Sequence, residues 1–185
     1  MAINDLKEII RSGKDYFVKN DLNGFYEHVT DGVIDGRFNI EAEDVGKITK
    51  FFTDNGIDVA GLLSKRVPYA CFCCLDIPPS FVNNGTFKLP PKFTEIDESA
   101  FSASNDFKIV DLRGVKYIGH WAFEATHTEE VWLGEMDSYK TGIAVFQDCE
   151  IRTVYLPKDK WHDHADKLCR SQFNRIGHRP KFEMY

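Results

Sequence analysis

A short phrase returns about every 22 residues in the second half of this chain: an apolar-x-Leu triplet, then Ile, then a small residue followed by Phe. One copy is Phe87-Lys88-Leu89 with Ile96, Ala100 and Phe101, and the next is Val110-Asp111-Leu112 with Ile118, Ala122 and Phe123. A third runs Val131-Trp132-Leu133, Ile143, Val145 and Phe146, and a fourth opens with Val154-Tyr155-Leu156. The four leucines are spaced 23, 21 and 23 residues apart. A fixed period of this length belongs to units that cannot close a core alone and must stack on their neighbours, which predicts a solenoid. Phe101, Phe123 and Phe146 should then lie in register as a ladder.

The first 66 residues lack the phrase and read as helical. Leu6, Ile9, Ile10, Tyr16 and Phe17 predict an amphipathic helix over Asp5 to Val18, with Asn4 as its N-cap. Leu22 to Val29 reads as a second, short helix. Thr30-Asp31-Gly32 and Asp35-Gly36-Arg37 mark turns around an extended Val33-Ile34. A third helix is expected from Glu41 to Asp54, with Val45, Ile48, Phe51 and Phe52 as its apolar face and acids in its first turn. Gly56 suits its C-cap, and Asp58 can cap a brief helix through Leu63. Tyr69 to Leu75 is a continuous apolar run suited to a buried strand, and Asn83-Asn84-Gly85 is a tight turn feeding Phe87. After Pro157, Trp161, Ala165, Leu168 and Phe173 recur at helical spacing. The fold class is therefore α+β: a helical N-terminal cap (1–66), a short parallel-strand solenoid of about four units (67–157), and a C-terminal capping helix and tail (158–185).

Bulk properties narrow the function. The content of 43% hydrophobic residues suits a chain folded throughout. No stretch approaches the roughly 20 apolar residues of a membrane span, and the opening residues lack a secretory layout, so the expected location is cytoplasmic. The five cysteines, three of them crowded at Cys71, Cys73 and Cys74, read as reduced thiols. The net charge of −6 is uneven: residues 67–157 hold 7 basic and 13 acidic side chains, residues 158–185 hold 7 and 4. An acidic sheet repels phosphates, which argues against nucleic-acid binding through the repeats.

Alternation across a strand sends the middle residue of each triplet outward. Lys88, Asp111, Trp132 and Tyr155 should form one exposed column, and Thr86, Ile109, Glu130 and Thr153 its neighbour. Adjacent Trp132 and Tyr155 on a rigid sheet offer large contact area with little rotamer entropy to lose. Chemistry is poorly supported. The cysteine run fits no zinc spacing and reads as small apolar residues within a strand, and His162 and His164 face different sides of a helix. Cys149, Cys169, His120 and His127 share no local catalytic signature, and Ser12-Gly13-Lys14 lacks the glycine-rich approach of a phosphate cradle. No cofactor or metal is expected.

The runs Leu89-Pro90 to Ile96-Asp97-Glu98-Ser99-Ala100-Phe101 and Val115-Lys116-Tyr117-Ile118-Gly119-His120-Trp121-Ala122-Phe123 resemble the BspA-like leucine-rich repeats, written L-P-x-x-v-x-x-I-g-x-x-A-F. The closing Tyr155-Leu156-Pro157-Lys158 resembles the end of such an array. The resemblance covers residues 87–157, with a fainter copy at 68–86, and the third unit departs through the run Gly134 to Lys140 and through Ala144-Val145. It implies a non-enzymatic protein-binding module that uses its strand face, with Trp132, Tyr155, Asp111, Lys88, Glu130 and Ile109 as the partner-binding set. Many such proteins are secreted adhesins; a helical leader before few repeats is more like intracellular members from bacteria and their viruses, where a host-directed inhibitor or adaptor is a natural use. Two other readings stand beside it: an acidic nucleic-acid mimic that blocks a DNA- or RNA-binding protein, and a cysteine- or histidine-dependent enzyme.

Overall fold

The computed structural model describes residues 5–134, 140–158 and 180–185. Helices come first. Asp5 caps α1 (Leu6–Ser12) by accepting from the Lys7 N–H, and α2 (Lys14–Val18) follows after a break at Gly13, whose N–H is shared among the last carbonyls of α1. The single helix expected over Asp5 to Val18 is thus two, and its expected cap Asn4 lies outside the described residues.

A larger correction concerns α3, which runs Leu22–Ile34 through the expected turn and extended piece. Gly32 belongs to this helix because Phe38 folds back over it: a Cβ there would stand 2.1 Å from the Phe38 ring. That tertiary contact outweighs the turn preference of Thr30-Asp31-Gly32. The next helix, α4 (Ala42–Asp54), opens on a capping box formed by Glu41 and Asp44. Val45, Ile48 and Phe52 are buried on its inner face, but Phe51 is 53% exposed and does not belong to it. Asp58 caps α5 (Val59–Leu62) through the Gly61 N–H, as its position suggested.

From Arg66 onward the chain winds through two parallel ladders. The two-residue strands β1 (Arg66–Val67), β4 (Glu95–Ile96), β6 (Tyr117–Ile118) and β8 (Lys140–Thr141) form a four-stranded sheet in that order. The second sheet is six-stranded: β2 (Val82–Asn83), β3 (Thr86–Lys88), β5 (Ile109–Asp111), β7 (Glu130–Trp132), β9 (Thr153–Leu156) and β10 (Lys181–Met184). All its pairings are parallel except the β2–β3 hairpin, which turns at Asn84 and Gly85, both at positive φ. One pass through both sheets is a coil.

A third ladder joins the coils where no strand is formed. The N–H groups of Ala70, Phe72 and Cys74 donate to Glu98, Ala100 and Ser102, those of Ser99, Phe101 and Ala103 to His120, Ala122 and Glu124, and those of Trp121, Phe123 and Ala125 to Ile143, Val145 and Gln147. Each coil holds two left-handed non-glycine residues here: Ala70 and Cys74, Ser99 and Ala103, Trp121 and Ala125, Ala144 and Asp148. Such conformations cost roughly 1–2 kcal/mol each, and regular hydrogen bonding to the next coil offsets the cost. Tyr69 to Leu75 is therefore a turn of this ladder and not a strand. The alternation of left-handed residues breaks the extended backbone that its apolar composition suggested.

Phe72 begins a ring ladder that continues through Phe101, Phe123 and Phe146, at centroid separations of 5.7, 5.4 and 5.3 Å with near-parallel planes. The expected register of Phe101, Phe123 and Phe146 holds, and the coil before them supplies a fourth rung. Ile143 departs from its expected inward role. Thr141 pairs with Ile118 in the four-stranded sheet, and Ile143 is 59% exposed.

One cluster of buried side chains runs from Ile9 to Leu156 and includes both helices and coils. Gly46 of α4 lies so close to the first turn that a Cβ would stand 2.2 Å from the Cys73 carbonyl oxygen. Lys92 reaches from the first repeat loop to the carbonyls of Ala60, Gly61 and Leu63 at 3.0–3.2 Å, which closes the exposed end of α5. The C-terminal helix expected from Trp161 to Phe173 lies outside the described residues. The end of the tail forms a strand that the sequence did not place: β10 extends the sheet beside β9, with Phe182 opposite Val154.

Candidate functional site

Parallel register fixes the outer face of the six-stranded sheet. Lys88, Asp111, Trp132, Tyr155 and Glu183 stand opposite one another in one column, and Thr86, Ile109, Glu130, Thr153 and Lys181 in the next. Between them Phe87, Val110, Val131 and Val154 point inward and are fully buried. The strand alternation thus places Lys88, Ile109, Asp111, Glu130, Trp132 and Tyr155 on one face as expected, and β10 adds a further row.

Within the first column the rings stack. Trp132 and Tyr155 lie 3.9 Å apart between centroids at 13°, and the Arg113 guanidinium sits over the Trp132 ring at 5.0 Å. Trp132 therefore has a cation on one side and a phenol ring on the other, so its edge, not its face, meets the outside. Tyr185 closes the group from the side: its ring centroid is 5.3 Å from that of Trp132, and its hydroxyl donates to the Leu133 carbonyl at 2.7 Å. Neither Arg113 nor Tyr185 was foreseen. Arg113 follows the repeat triplet in a loop, and Tyr185 is brought in only by β10.

Asp111 corrects the expected exposed acid. It is 5% exposed, because Arg113 donates to it through Nε and Nη2 at 2.8 Å and through its backbone N–H at 3.1 Å, while the Lys88 ammonium stands 3.0 Å away. Burial alone pushes the carboxyl upward, but the hydrogen bonds from Arg113 and Lys88 outweigh it and hold the pKa down to about 2. Its role is to hold Arg113 over Trp132, and its charge is spent inside the protein. Glu129, just before β7, is likewise bridged by Lys108 at 3.2 Å and Arg152 at 3.0 Å. The outer face is a mixed surface with an aromatic centre, not the acidic sheet that composition suggested.

Among the described residues the cysteine and histidine candidates do not converge. Cys149 is buried and its thiol is hydrogen-bonded with Thr126 and the Phe123 carbonyl; burial pushes its pKa up. His120 accepts from the Ile143 N–H at 2.9 Å. Cys71 and Cys73 are buried, with thiols pushed up to about 12 by desolvation, whereas Cys74 is exposed, contrary to the expectation for the run. Cys169, His162 and His164 lie outside the described residues. Among the described residues no group of three or more His, Cys, Asp and Glu could hold a metal ion, and no helix is long and apolar enough to cross a membrane.

Comparison with protein families matches residues 80–169 to the BspA type leucine-rich repeat region, in 6 copies. The match extends past the four units counted from the leucine spacing on both sides. Neither the curated proteins nor the solved structures give a match to this chain. The in-register triplets, the phenylalanine ladder and the matched span agree, and residues 80–169 of this chain belong to the BspA type leucine-rich repeat region.

Proposed function

We propose that this chain is a non-enzymatic interaction module, a short solenoid between an N-terminal helical cap and a C-terminal closing element, which docks a protein partner on the outer face of its six-stranded sheet. Leucine-rich repeats serve protein interaction in general, and this chain carries that region. One observation supports the choice of face: Arg113, Trp132, Tyr155 and Tyr185 form a single stacked group whose geometry is set before any partner arrives. Groups ordered in advance lose little entropy on binding, and Trp, Tyr and Arg are the residue types that dominate interface energies.

The orientation of the rings selects the kind of partner. A nucleobase or sugar would stack on an open ring face, but both faces of Trp132 are occupied. What remains is a rim of ring edges flanked by Lys88, Ile109, Glu130 and Thr153, which suits the mixed apolar and polar surface of a protein. Trp132→Ala and Tyr155→Ala are each expected to weaken the partner at least about tenfold in a quantitative pull-down while the thermal midpoint stays near that of the parent. A photo-crosslinking residue at position 88 should capture the same protein. Undiminished recovery by both alanine variants would remove this face from the interaction.

A further inference from the structure

A cleft of about 500 Å³ lies between α4–α5 and the turn and loop that follow Phe72. Its volume is in the range of roughly 300–1,000 Å³ typical of small-molecule sites, and it forms where two differently built parts of the chain meet, a common place for such sites. The floor is apolar: Ile57, Val59, Ala60, Phe72, Leu75 and Ile77. The rim carries Lys50, Asp54, Asp58 and Asp76, with Cys74 beside them.

The rim charges do not balance. Lys50 pairs with Asp54 at 3.1 Å, so these two cancel. Asp58 accepts the Gly61 N–H at 2.9 Å as a helix cap, which satisfies an oxygen but leaves its negative charge uncompensated. Asp76 is exposed and has no hydrogen-bond or ion-pair partner among the described residues. Two carboxylates thus face an apolar cleft with no cation assigned to them. An anionic ligand would be repelled, whereas a cation is attracted to both carboxylates while its body covers the apolar floor.

We propose that this cleft is a binding site for a small organic cation, an apolar body bearing an ammonium group, with the body on Phe72, Ile77 and Val59 and the ammonium toward Asp76 and Asp58. The site lies on the first coil, apart from the stacked aromatic group on the third and fourth, so the two stand or fall separately.

A matched pair of fluorophores tests it on the full chain: dansylcadaverine, which ends in an ammonium, and dansylglycine, which ends in a carboxylate. Saturable, blue-shifted binding of the amine at least tenfold tighter than the acid is expected, with a loss of affinity on added salt. Asp76→Asn should lower that preference several-fold, and Thr53→Trp, which fills the cleft from α4, should remove at least tenfold of the amine's affinity. Cys74 supplies a readout that needs no variant, since it is exposed and lines the cleft. Saturating dansylcadaverine should slow its alkylation by iodoacetamide several-fold, followed by peptide mass spectrometry. Equal binding of both probes, no saturable binding of the amine, or unprotected Cys74 would overturn the proposal.

Discussion

Asp111 occupies an outward slot of β5, yet the side chains of its neighbours enclose it. Its carboxylate accepts from Arg113 and faces Lys88, and Arg113 in turn lies over Trp132. A carboxyl whose folded pKa of about 2 is below the unfolded value of about 3.9 stabilises the folded state above roughly pH 4, and that contribution is lost as pH falls toward 2. Asp111→Asn is therefore expected to cost about 1.5–3 kcal/mol at pH 7 in urea unfolding, the range for hydrogen bonds to charged groups. The gap between variant and parent should close between pH 4 and pH 2, and a gap constant across that window would contradict the assignment. The existence of an outward Asp at this slot was legible from the triplet. Its burial was not, because the enclosing Arg113 and Lys88 come from the following loop and the preceding coil.

At the scale of elements, the phenylalanine ladder holds the turns together. Phe101 and Phe123 are fully buried and each stacks on both neighbours in the series. Phe123 also meets Phe87 edge-on at 5.2 Å, which ties the turn ladder to the six-stranded sheet. Phe123→Ala should cost about 3–5 kcal/mol by chemical denaturation, whereas Phe51→Ala on the exposed side of α4 should cost less than about 1 kcal/mol. Similar losses at the two positions would mean that the rings do not form the ladder. The run Tyr69 to Leu75 shows where periodicity misleads. Its composition suits a strand, but Ala70 and Cys74 are left-handed, and Phe72 takes the same position as Phe101. The signal was present in the sequence as a small-Phe pair at Cys71-Phe72, masked by a longer spacing of 29 residues from Phe72 to Phe101.

Over the whole molecule, helices and coils share one buried cluster, with α4 in contact with the first turn and Lys92 on the end of α5. In a Trp161→Phe background, unfolding followed by far-UV circular dichroism, which reports mainly on α3 and α4, should coincide with unfolding followed by fluorescence of Trp121 and Trp132 in the coils. Two separated midpoints would show that the helices melt apart from the repeats. The amino-acid sequence by itself determined the repeat, its register and the inward and outward columns, because period and alternation are local properties that every unit restates. It also carried the cap at Asp58, which depends on a few adjacent residues, whereas the C-cap expected at Gly56 falls on Asn55, with Gly56 following at positive φ. Only the tertiary structure decided that α3 continues through Gly32, that Asp111 is enclosed, that Tyr185 closes over Trp132 on a strand beyond the recognisable triplets, and that a charged cleft opens beside α5. Each of these depends on residues distant in the chain meeting in space, where one packed ring or one paired charge outweighs local preference.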